Sequence, residues 1–180
     1  MLKFLKEVFR TGEATVQYPF APLEVEKDFR GKPEHIAEQC IACAACTNAC
    51  PANALAMETD TAAGTRTWSI SYARCIFCAR CEEVCPTQAI KLTQDFELAV
   101  ANKDDLSVKA VFKLANCVCC DEPFAPAKEI AYVTALIEAN AASPAEAEQR
   151  RRMLATCPSC KRTNDLMQIA SITDQQEKRR

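Results

Sequence analysis

With 180 residues and a formal net charge of −2, the chain suits one ordinary domain or a small domain with an appendage. It has no basic excess that would point to nucleic acid. There are 13 cysteines, yet the first ten residues carry charges throughout and no apolar leader, and nowhere do about 18 apolar residues run together. Thiols without an export signal predict a reducing, cytoplasmic compartment and metal ligation rather than a disulfide scaffold.

In chain order, residues 1–10 place Met1, Leu5 and Val8, with Phe4 and Phe9 beside them, opposite Lys3, Lys6, Glu7 and Arg10. This is an amphipathic helix too short to stand alone in water. It must pack on its own core, on a partner subunit or on a membrane surface, and a partner is the preferred reading. Residues 11–39 read as an extended docking arm, broken by Pro19, Pro22 and Pro33 and anchored by scattered apolar side chains. His35, the only histidine, lies here and reads as solvated or locally bonded rather than as a ligand.

Residues 40–86 contain one cysteine phrase twice. Cys40, Cys43, Cys46 and Cys50 precede Pro51; Cys75, Cys78, Cys81 and Cys85 precede Pro86. Both copies are C-x2-C-x2-C-x3-C-P, offset by 35 residues. Four disulfides, eight unligated thiols or zinc explain neither the repetition nor the two prolines. The phrase resembles the bacterial two-cluster ferredoxin pattern, in which the fourth cysteine of each run ligates the other cluster. That resemblance implies two [4Fe–4S] clusters, one on Cys40, Cys43, Cys46 and Cys85, the other on Cys75, Cys78, Cys81 and Cys50. The proline after each fourth cysteine holds that cysteine in extended geometry, which suits a crossing thiol.

Between the runs, Leu55 and Met57 alternate with Ala54 and Ala56, and Trp68, Ile70 and Tyr72 alternate with Thr67, Ser69 and Ser71. Period two on both sides of a Gly64-containing turn predicts a β-hairpin. Residues 89–92 then read as a short strand matching 54–57.

Further on, Cys117/Cys120 and Cys157/Cys160 form two C-x2-C pairs separated by 36 residues. Two facing knuckles give a closed S4 site for zinc or a single iron; reduced, unligated thiols are the alternative. Ile130, Val133, Leu136 and Ile137 share one helical stripe, and Ser143-Pro144-Ala145-Glu146 reads as a capping box with proline at the first helical position. A helical hairpin therefore brings the pairs together. Cys119 fits neither pair and reads as a buried or free thiol. Residues 175–180 read as a solvated, flexible tail.

The fold class that results is α+β: a two-[4Fe–4S] bacterial ferredoxin-like core over 40–106, an arm over 1–39, and a four-cysteine metal-binding extension over 107–174. Thr15 to Pro19, Phe29-Arg30-Gly31, Cys85 to Ile90 and Asp95 to Ala99 resemble the two-cluster iron–sulfur subunit of respiratory complex I and its hydrogenase relatives. With the cysteine-bearing tail, the resemblance extends over the whole chain to the formate hydrogenlyase subunit 6 and hydrogenase-4 component H family. It implies a subunit without a catalytic site of its own that relays electrons between an electron-input iron–sulfur subunit and the small subunit of a [NiFe] hydrogenase. Its place would be peripheral, on the cytoplasmic side of the membrane. A complex I-type subunit feeding quinone and a metal-stabilised adaptor or assembly protein are the alternatives.

Overall fold

The computed structural model describes residues 2–13 and 15–177. Two antiparallel ladders flank the cysteine loops. Strand β1 (Pro33–His35) pairs with β4 (Ile90–Leu92), while β2 (Leu55–Asp60) pairs with β3 (Thr65–Ser71). Their registers are related by the same 35-residue offset as the cysteines. Ile90 and Leu92, the counterparts of Leu55 and Met57, face His35 and Pro33; Leu55 and Met57 face Ile70 and Trp68. Side-chain alternation turns Leu55, Trp68 and Ile70 inwards. Trp68 and Ile90 are each about 1% exposed and lie in one cluster with Ala42, Tyr72, Cys81 and Phe112. The expected hairpin and the matching strand are both present.

Two short helices follow the second cysteine of each run: α2 (Ala45–Ala49) and α3 (Arg80–Glu83). Helix α1 (Leu2–Thr11) ends at Gly12, which takes a positive φ of 60° and donates its N–H to Val8 O at 3.1 Å. None of the α1 residues is buried; Leu2 and Phe9 are 84% and 83% exposed. Helix α1 therefore does not bury its apolar face against the core of its own chain. Met1, read as part of the same face, lies outside the described residues.

The arm is tied down beyond α1 by the segment after β4. Tyr18 hydrogen-bonds Glu97 and packs on Phe96, whose other edge meets Phe29. Gly31 N–H donates to Thr93 O at 2.9 Å, and Thr93 N–H donates to Lys32 O at 3.1 Å. Tyr72 Oη donates to Pro33 O at 2.9 Å, joining the two ladders.

The extension is joined to this core by a continuous sheet. Strand β5 (Ser107–Asn116) pairs with β3 from Ser71↔Ser107 to Thr65↔Lys113, and β6 (Pro123–Pro126) adds to its far side. The result is a four-stranded sheet of order β2-β3-β5-β6. These two strands were not expected, although Ala110, Phe112 and Leu114 alternate with Val111 and Lys113, and Phe112 and Leu114 are buried. The predicted helical hairpin follows as α4 (Ala127–Ala139) and α5 (Pro144–Leu154). Its capping box forms: Ser143 Oγ accepts from Glu146 N–H, while the Glu146 carboxylate accepts from Ala142 N–H. Helix α6 (Pro158–Glu177) carries the chain further than expected. The segment read as a flexible tail from 175 thus begins inside a helix, and 178–180 lie outside the described residues.

Gly31 is a contact the fold cannot fill. A Cβ there would meet Asp95 O at 2.3 Å and Thr93 O at 2.7 Å, both backbone atoms. Gly31→Ala should destabilise the protein by about 1–3 kcal/mol. At on the order of 2–4 °C per kcal/mol, thermal unfolding of the holo-protein should register this as a drop of several degrees.

Candidate metal centres

The repeat places the two cysteine loops in matching conformations. Ala42 and Ala44 take positive φ in the first loop; Phe77 and Ala79, 35 residues on, do the same in the second. Asn53 and Gln88 form a third such pair, just beyond the fourth cysteines. Left-handed residues cost energy when they carry a Cβ, but they turn backbone N–H groups inwards to make an anion-binding nest. The outcome is symmetric. Ala42 N–H points at Cys40 Sγ (3.4 Å) and Phe77 N–H at Cys75 Sγ (3.5 Å). Ala54 N–H points at Cys50 Sγ (3.3 Å) and Ala89 N–H at Cys85 Sγ (3.2 Å).

Two cavities lie over these loops. Cys40, Cys43, Cys46 and Cys85 line the first. Cys50, Cys75, Cys78 and Cys81 line the second. Each cavity is thus walled by three thiols of one run and the fourth thiol of the other. Four soft sulfur donors, with N–H groups aimed at the sulfurs, suit an iron–sulfur cube. Burial pushes the Cys40, Cys46 and Cys75 thiols up, and Cys81 up to about 12. Cys85 goes the other way: burial raises it, but donors from Thr87, Ala89 and Ile90 outweigh this. Metal binding displaces these protons to solvent, so that the thiols ligate as thiolates.

His35 differs from its sequence reading. It is half-buried: its ring stacks on Trp68 at 3.8 Å and 14° and meets the edge of Phe112. The His35 and Trp68 rings both wall the first cavity. Burial lowers the His35 pKa, with Glu38 opposing and Lys128 reinforcing the shift. His35 Nε2 and Trp68 Nε1 are buried with no hydrogen-bond partner. The indole N–H faces the Cys46 sulfur from beyond hydrogen-bond length, near enough to offset part of the rise that burial causes there. Sequence alternation places Trp68 on a strand of the hairpin but carries no sign of the role of its polar edge.

In the extension, the sulfurs of Cys117, Cys120, Cys157 and Cys160 all lie within 4.8 Å of one another. Thiolates about 2.3 Å from a tetrahedral ion stand about 3.8 Å apart, and Cys120 Sγ and Cys157 Sγ are separated by 3.8 Å. Turn N–H groups converge on the sulfurs: those of Cys157 and Cys119 on Cys117 (3.2 and 3.4 Å), and that of Cys160 on Cys157 (3.4 Å). Donation from Cys157 N–H, with that of the neighbouring turn, brings Cys117 down to about 6. The Ser159 hydroxyl and Cys160 N–H lower Cys157. The neighbouring Cys157 and Cys120 sulfurs and burial raise Cys160. At Cys120 the Glu122 N–H favours the thiolate, but burial and the Cys117 sulfur outweigh it. Four thiols that cannot all ionise together are a site that a cation completes. Cys119 stands apart from the four, exposed and free.

Among the described residues, no helix is long and apolar enough to cross a membrane. Residues 39–89 match the 4Fe-4S dicluster domain. The chain is 53% identical to formate hydrogenlyase subunit 6 of Escherichia coli (strain K12), over 93% of its own length and 92% of that protein's. It is also 37% identical to NAD(P)H-quinone oxidoreductase subunit I of Synechococcus sp. (strain CC9605), over 67% of this chain and 60% of that one. Among solved structures, a chain of the archaeal membrane-bound sulfane sulfur reductase matches at a TM-score of 0.45 and 27% identity, covering 57% of this chain and 56% of that one. A dicluster domain within near full-length similarity to one curated subunit settles the family: the chain belongs to the formate hydrogenlyase subunit 6 family and is an iron–sulfur electron-transfer subunit.

Proposed function

We propose that Cys40, Cys43, Cys46 and Cys85 hold one [4Fe–4S] cluster, and Cys75, Cys78, Cys81 and Cys50 the other. The observation that carries this is the exchange of Cys50 and Cys85 between the two cavities. When bound, the clusters take up and release single electrons. The chain's own work is to keep all four thiols of each site in place, to aim backbone N–H groups at sulfur, and to exclude water with Leu55, Ile70 and Ile90. With four thiols for each cube, no iron is left open to a substrate.

In this reading the subunit relays electrons between an electron-input iron–sulfur subunit and the small subunit of a [NiFe] hydrogenase, within a membrane-bound complex and peripheral to it on the cytoplasmic side. Residues 1–39 serve as the docking arm, 40–106 as the two-cluster module and 107–174 as the metal-stabilised extension. The exposed apolar face of α1 supports the docking role. The quinone-linked relatives share about two thirds of this chain, whereas similarity to formate hydrogenlyase subunit 6 runs on through the cysteine-bearing extension.

Cys117, Cys120, Cys157 and Cys160 hold one metal ion, read as structural zinc because the site is closed by four sulfurs. Metal analysis of the purified holo-protein should then find one zinc beside the eight irons of two [4Fe–4S] clusters. Replacing any one of the four cysteines by serine should remove that zinc, while Cys119→Ser should leave it. A ninth iron in place of zinc would identify a rubredoxin-like centre; no ninth metal would overturn the site.

Deleting residues 1–16 should leave the iron content unchanged and reduce recovery of the hydrogenase subunits in an affinity pull-down. Lost iron with normal recovery would assign α1 to the fold instead of to docking.

A further inference from the structure

The two cavities are related by the 35-residue repeat, yet their walls are not chemically alike. Leu55 and Met57 correspond to Ile90 and Leu92, so the strand partners correspond too: His35 opposite Ile90 stands where Ile70 does opposite Leu55, and Trp68 opposite Met57 stands where Pro33 does opposite Leu92. His35 and Trp68 wall the cavity of Cys40, Cys43, Cys46 and Cys85. Their counterparts Ile70 and Pro33 wall the cavity of Cys50, Cys75, Cys78 and Cys81. Ile70 has no polar side-chain atom, and Pro33 lacks even a backbone N–H. At these two positions one cavity has polar ring edges where the other has hydrocarbon; Arg80, which also lines the second cavity, has its charge paired with Glu83 at 2.7 Å.

Those edges are His35 Nε2 and Trp68 Nε1, the two buried side-chain nitrogens without a partner among the described residues. A buried polar group left unpaired forfeits its hydration and gains nothing in return. The indole nitrogen is a donor only, and an imidazole carrying its proton on Nε2 is a donor there too. The ring stack at 3.8 Å and 14°, closed off by Phe112, fixes both rings in this orientation. The group that would satisfy two donors on a cysteine-lined cavity is an anionic sulfur. Hydrogen bonds to cluster sulfur favour the more negative, reduced state and so raise the reduction potential.

We propose that His35 and Trp68 donate N–H hydrogen bonds to the sulfurs of the cluster held by Cys40, Cys43, Cys46 and Cys85, and that these bonds make it the higher-potential cluster of the pair. The inference rests on the ligand reading given above and adds an order to the two centres: electrons collect at the first cavity. It also accounts for a stacked pair of polar rings in a position where the internal repeat would be satisfied by two apolar residues.

The chain has one tryptophan and one histidine, so each is a unique isotopic label. The test is pulsed electron paramagnetic resonance on the full-length holo-protein with 15N-tryptophan or 15N-histidine, poised so that only the first cluster is reduced and then fully reduced. The expected result is 15N coupling on the cluster that reduces first and none on the second. Trp68→Phe and His35→Phe, which keep a ring and remove the N–H, should each lower the potential of that cluster and leave the other in place. No 15N coupling on either cluster, coupling on the cluster reduced last, or unmoved potentials in iron-replete variants would overturn the proposal. If the variants lose their clusters, the labelled unsubstituted protein decides alone. Two clusters with unaltered potentials would sink the donor role but spare the ligand reading; a protein that never carries two [4Fe–4S] clusters would sink both.

Discussion

Three thiols spaced two residues apart on one tight loop can surround three corners of a cube, and the fourth corner then faces away from that loop. The rest of the structure answers this constraint. A second copy of the loop, 35 residues on, brings its fourth thiol to the first cavity, as the first run brings its own to the second. Reciprocal exchange of Cys50 and Cys85 requires the two loops to face each other about a pseudo-twofold axis. The matched ladders β1–β4 and β2–β3, the paired left-handed residues and the paired N–H···S contacts all follow that symmetry. It also explains a modest hydrocarbon core. The centre of the molecule is given over to cysteine-lined cavities, and clusters bound there would supply folding free energy that side-chain burial does not.

The cysteine repeat, the hairpin and the helical stripe of α4 were legible because each repeats a short-range rule: ligand spacing, period two, or period 3.6. Strands β5 and β6 went unread for a different reason. Residues 107–116 precede the Cys117/Cys120 pair, and only Phe112 and Leu114, alternating with Val111 and Lys113, mark an inward strand face there. Which sheet such a strand joins is a long-range fact, fixed here by pairing with β3 across seven residues. His35 illustrates the same limit. A lone histidine in a proline-broken arm carries no periodic signal, and its environment arises only when β1 meets β4 and Trp68 comes across from β3.

The extension is fastened to the cluster region at defined points. Arg66 on β3 donates to Ala42 O in the first cysteine loop at 3.1 Å and lies 3.9 Å from Glu129 of α4. Lys128, also on α4, donates to the carbonyls of Ala37 and Glu38 just before the first cysteine. A metal clamp between the two C-x2-C pairs would therefore steady α4, and through it the loop that walls the first cavity. The exposed apolar faces lie elsewhere, on α1 and along α6 at Leu166, Met167, Ile169 and Ile172. These exposed apolar side chains and the cysteine-lined cavities thus lie on separate elements.

Completion of each cluster by the other run's fourth cysteine is tested most directly by a pair of single substitutions read by electron paramagnetic resonance under full reduction. Cys85→Ser should alter the signal of the cluster on Cys40, Cys43 and Cys46, and Cys50→Ser that of the cluster on Cys75, Cys78 and Cys81, each sparing the other. If Cys50→Ser instead perturbed only the cluster of its own run, the two loops would be independent sites and the crossed architecture would be wrong.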